Sequence, residues 1–147
     1  MQIEFTRLTE KVHRLTIQRD DGSQESVELE TRSLLLHDLV HLAVETEAHL
    51  ERGFWGLVAS GVPMSEVSFD HDSATNRDLA TAESLVGPMQ ALWNGRLSEA
   101  RYLEISGAIP PVDDRFVDRV RERLRALTGH WRATPFGHSM VVRWPVE

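Results

Sequence analysis

The side chains with the widest chemical scope lie in one stretch, Leu34–Gly61, which reads LLLHDLVHLAVETEAHLERGFWGLVASG. His37, His41, Glu45 and His49 recur there at intervals of four. On a helix each such step turns only about 40°. His37, His41 and Glu45 therefore make one stripe, with Asp38 and His49 beside it. Two imidazoles one turn apart can reach one cation at about 2.0–2.1 Å. Imidazole with carboxylate suits zinc, and also iron, nickel or manganese. Glu45 could complete the set, although three ligands on one straight helix fan out. His71, in Phe69-Asp70-His71-Asp72, is the alternative third ligand. His13 and His138 are further imidazoles outside the stretch. Three other readings compete with a metal. The stripe could be the polar face of an amphipathic helix, a set of core histidines bonded to backbone carbonyls or to Asp38, or a partner surface.

His37-Asp38-Leu39-Val40-His41 resembles the His-Glu-x-x-His helix of the zincin metalloproteases. That resemblance implies His37 and His41 as zinc ligands and Asp38 as the general base acting on metal-bound water. The chain departs from the pattern where Asp stands for Glu. Its side chain is one methylene shorter, which sets the carboxylate further from a water that Glu would reach.

The elements that must position this stretch are legible on either side. Ile3 and Phe5 alternate with polar residues, and His13, Leu15 and Ile17 share one parity. Val27 and Leu29 share one parity beyond Asp20-Asp21-Gly22-Ser23. Alternation on both sides of an Asp-Gly predicts a hairpin. A three-residue loop with left-handed Gly22 puts Leu15, Ile17, Val27 and Leu29 on one face, which a two-residue loop would not. An isolated hairpin is marginal and needs a cover. The next segment supplies it, as a helix of about 19 residues capped by Ser33 and ended by Gly53.

Phe54–Ser60 predicts a short second helix, with Phe54-Trp55-Gly56 a tight aromatic turn against the core. Residues 64–77 read as an exposed loop. A helix from Asp78 carries Leu79, Ala82, Leu85, Val86, Met89, Leu92 and Trp93 on one stripe, with a kink or a division into two shorter helices expected at Gly87-Pro88. Ser98 caps a helix to about Ser106. Asp113 or Asp114 opens another to about Leu127, whose arginines 115, 119, 121, 123 and 125 form a solvated, salt-paired face. Ser139–Trp144 is a last strand.

The strand hairpin, Leu35-Leu36-His37-Asp38-Leu39-Val40-His41-Leu42-Ala43-Val44-Glu45, Gly53-Phe54-Trp55-Gly56-Leu57, Leu85-Val86-Gly87-Pro88 and the closing Trp131-Arg132-Ala133-Thr134-Pro135 and Trp144-Pro145 together resemble a family of small bacterial proteins with no assigned activity. The resemblance implies a fold and no function.

The 147 residues suit one domain, 1–147, with 41% hydrophobic and 27% charged residues and a net charge of −7. An acidic chain makes nucleic acid a poor partner. There is no cysteine, hence no disulfide framework and no thiolate metal site. No secretory leader and no apolar run of about 20 residues is present, so the expected location is the cytoplasm, away from membrane. The expectation is an α+β domain, in which a small antiparallel sheet of the N-terminal hairpin and the C-terminal strand packs against the central helix and further helices. The leading functional expectation is a divalent-metal-binding protein, zincin-like in its helix. The alternatives are a protein-interaction or self-association domain, and a metal-free small-molecule-binding domain.

Overall fold

Gln2–Arg7 (β1), Val12–Gln18 (β2) and Gln24–Glu30 (β3) form an antiparallel meander, and Ser139–Arg143 (β4) adds beside β1. The strand order is β3-β2-β1-β4. The computed structural model describes residues 1–67 and 76–146. The β2–β3 loop has the expected three residues. Arg19 N–H donates to Ser23 O at 2.9 Å, and Gly22 takes a φ of 87°. Leu15 consequently pairs with Val27, and His13 with Leu29. The fold is α+β, as the patterning implied.

One face of the sheet is apolar, with Ile3, Phe5, Ile17 and Met140 fully buried. β3 departs from the expected symmetry. Val27 is 39% exposed and Leu29 only half-buried. A helix about 10 Å across roofs about two strands spaced 4.7–4.9 Å apart. The third strand out is left as a partly bare shelf.

The cover also starts and stops differently from the expectation. Glu30, not Ser33, caps the entry, its carboxylate accepting from Arg32 N–H at 2.8 Å and Ser33 N–H at 3.0 Å. One wide turn, Thr31–Leu35, leads into Leu36–Glu47 (α1). The helix ends there because His49 turns left-handed at φ 52°, and Leu50 N–H reaches back to Glu45 O at 2.9 Å. A left-handed residue just past the last turn is a standard helix stop. Gly53 instead opens the next helix, Phe54–Ala59 (α2).

Arg77–Trp93 (α3) is capped by the Asn76 side chain and runs unbroken through Pro88. The chain does not divide into two shorter helices there. The preceding residue is Gly87, which has no Cβ to meet the proline ring. Glu99–Ser106 (α4) is capped by Ser98, as expected. Phe116–Ala133 (α5) buries Phe116, Val117, Val120, Leu124 and Leu127, then runs on past the expected end to bury Trp131. Three of the five arginines named for its outer face are salt-paired: Arg119 and Arg123 on Glu47, Arg121 on Glu99. α1 packs against α3 and α5, and sheet and helices share one contiguous buried apolar cluster. Among the described residues, no helix is long and apolar enough to cross a membrane.

Candidate functional site

α1 places its polar stripe where the periodicity put it, but buries most of it. His41 is 3% exposed and Glu45 1%. Such burial is costly unless every polar atom finds a partner. Glu45 finds three. Its Oε1 accepts from Phe54 N–H at 2.9 Å, its Oε2 from Trp55 N–H at 3.1 Å, and His41 Nδ1 lies 2.9 Å from Oε1. Two of these donors are first-turn N–H groups of α2, which have no acceptor within the helix itself and favour an anion. Glu45 is thus the anion that caps α2 across a chain reversal. Gly53 is glycine for the same reason: a Cβ there would lie 2.5 Å from Glu45 Cδ. Burial pushes the Glu45 carboxyl up, and the hydrogen bonds from His41, Trp55 and Phe54 oppose that rise.

His37 sits one turn before His41, with ring centroids 4.8 Å apart and edge to face. Its Nδ1 lies 3.1 Å from Gln90 Oε1 on α3. Both imidazoles therefore present Nδ1 to an oxygen acceptor, which sets that nitrogen as the protonated one. Burial and the neighbouring His41 hold His37 below its ordinary value, with the Gln90 bond opposing. Both rings line one small cavity of about 270 Å³, with Glu83 and the backbone turn at Gly87 also in its wall. Among the described residues, no three His, Asp or Glu side chains form a group that could hold a metal ion. Glu45 is brought to His41, where it engages Nδ1. His71, the alternative third ligand, lies outside the described residues.

Asp38 goes elsewhere. It lines a second cavity, of about 420 Å³, between the shelf of β3 and the starts of α1 and α2. Its floor is Leu15, Val27 and Leu29, and its far walls are Phe54 and Met64. Asp38 is half-buried, and its Oδ2 is turned out of reach of solvent with no hydrogen-bond partner among the described residues. Burial pushes this carboxyl up to about 7, with His41 opposing. A second carboxylate in the wall, Glu25, is differently placed. It pairs with the Arg19 guanidinium, and its Oε2 accepts from Met64 N–H at 3.1 Å.

The remaining histidines are dispersed. His13 is a core histidine, fully buried between Phe5 and Trp131, with Nδ1 3.1 Å from Thr31 Oγ1. His49 is the exposed helix stop, and His138 is exposed before β4. Gln90, Glu83 and Met64 were not singled out from the sequence. Each comes from a distant segment, and no local spacing marks it. The parity of Val27 and Leu29 marked an apolar face, but could not show that nothing would cover it.

Comparison with protein-family models, curated proteins and solved structures found no match.

Proposed function

We propose that this chain is a small-molecule-binding protein and that its site is the cavity over β3, with Asp38 as the polar anchor. The observation that carries this reading is a half-buried carboxylate residue, Asp38, with its Oδ2 unpartnered among the described residues, in the lining of a cavity floored by Leu15, Val27 and Leu29. Binding sites are concave and mostly apolar, with a few polar groups placed to orient the ligand. A carboxyl displaced from its usual range inside such a cleft is what a site requires and what stability alone disfavours. The test is a fragment screen on isotope-labelled protein by NMR. Fragments that shift the backbone resonances of Val27, Leu29 and Phe54 together support the reading. A screen in which no fragment of any charge class moves them overturns it.

A divalent-metal site at His37 and His41 is the second reading. It is favoured by the engagement of both Nδ1 atoms, by Gln90 and by Glu45. A histidine that ligates metal through one nitrogen characteristically donates the other to such an acceptor. Metal analysis of untagged protein purified without chelator decides it. Stoichiometric metal lost in both His37→Ala and His41→Ala supports a site. Metal-free protein with no thermal shift on adding zinc counts against it.

A further inference from the structure

We infer that the ligand of the Asp38 cavity is a small apolar organic amine, with its ammonium group paired to the Asp38 carboxylate and its hydrocarbon body against Val27, Leu29 and Phe54. This rests on the cavity reading above and adds the chemical class.

Two carboxylates, Asp38 and Glu25, line the cavity, and among the described residues no Lys, Arg or His does. Glu25 already has Arg19 and the Met64 N–H as partners. The Asp38 carboxylate has no hydrogen-bond or ion-pair partner among the described residues, so the unanswered demand in the lining is for a donor, and best for a positive one. A charge-assisted bond is shorter and stronger than a neutral one, and the gain is larger away from water. An organic anion meets the opposite situation, with two carboxylates in the wall. A neutral alcohol supplies one hydrogen bond and no counter-charge. The rest of the lining selects for hydrocarbon: Leu15, Val27, Leu29 and Met64 are apolar, and an aromatic ring such as Phe54 attracts a cation placed over its face. The partial exposure of Val27 leaves the floor open on the solvent side, so a ligand can enter without the sheet separating.

Three probes of similar shape separate the possibilities: phenethylamine, phenethyl alcohol and hydrocinnamate, each titrated into the isotope-labelled full chain. Phenethylamine should shift Val27, Leu29 and Phe54 and bind at least about tenfold tighter than the alcohol, the factor expected of one charge-assisted hydrogen bond. Asp38→Asn should remove that preference. Equal or tighter binding of the alcohol or the carboxylate at the same residues overturns the amine assignment and leaves the cavity reading standing. Undiminished amine binding by a folded Asp38→Asn protein overturns it as well. If Asp38→Asn does not fold, Val27→Trp fills the cavity from a partly exposed strand position. Amine binding that survives Val27→Trp overturns the assignment too.

Discussion

Asp38 shows how one residue can carry a cost that its neighbours do not remove. Its carboxyl is raised from an ordinary 3.8 to about 7 by burial. The folded state therefore holds a proton that the unfolded chain has released between about pH 4 and 7, and stability falls as pH rises through that window. Asp38→Asn should accordingly stabilise the protein at pH 8 by on the order of 1–3 kcal/mol, with the gain shrinking toward pH 4. Urea denaturation at the two pH values reads this directly, and an equal difference at both would mean that the carboxyl is not desolvated. His49 carries a smaller strain. It holds a left-handed φ of 52° on the surface, a conformation that glycine adopts freely. His49→Gly should raise stability by about 0.5–1 kcal/mol. The sequence marked both residues as candidates for chemistry by type and spacing. It could not say that one lines a cavity and the other stops a helix, because a backbone reversal separates their surroundings.

At the scale of elements, the organising contact is Glu45 at the start of α2. It joins the last full turn of α1 to the Phe54 and Trp55 amides across a reversal of six residues, 48 to 53, and it explains the glycine at 53. Glu45→Ala should cost about 2–4 kcal/mol, since it leaves buried N–H groups and His41 without their acceptor. Gly53→Ala should cost about 1–3 kcal/mol by forcing the carboxylate aside. Both are measurable by chemical denaturation. The pairing also gives a diagnostic: Glu45→Gln should recover part of the loss, and equal destabilisation by Gln and Ala would argue for charge over hydrogen bonding. Element identities were largely legible. Period-two alternation around Asp-Asp-Gly fixed the hairpin and its three-residue loop, and Ser98 marked the start of α4. The boundaries of α1 were not. Its cap is a residue of the preceding strand, and its end is set by a histidine in a conformation usually taken by glycine.

At the scale of the whole molecule, β4 closes the fold by pairing with β1, so the chain ends are held against each other. The Met1 amine donates to Trp144 O at 3.0 Å, and Met140 completes the sheet's apolar face. Deletion of residues 139–147 should therefore abolish cooperative unfolding and the near-UV circular dichroism of the packed tryptophans. A sharp transition in the truncated chain would show that β4 is dispensable. The α+β class, the strand faces, the apolar stripes of α3 and α5 and the charged outer face of α5 are legible in the amino-acid sequence. These follow from side-chain period and charge, which are local. Only the tertiary structure decided the fate of the His37–Glu45 stripe. It gave Glu45 to α2, His37 to Gln90, and Asp38 to a cavity that exists because a single helix is too narrow to cover β3. Those outcomes depend on which distant segment arrives beside each side chain, and no spacing within one helix records that. The feature that first suggested a metal thus reads in three dimensions as two separate arrangements, of which the one over β3 carries the proposed site.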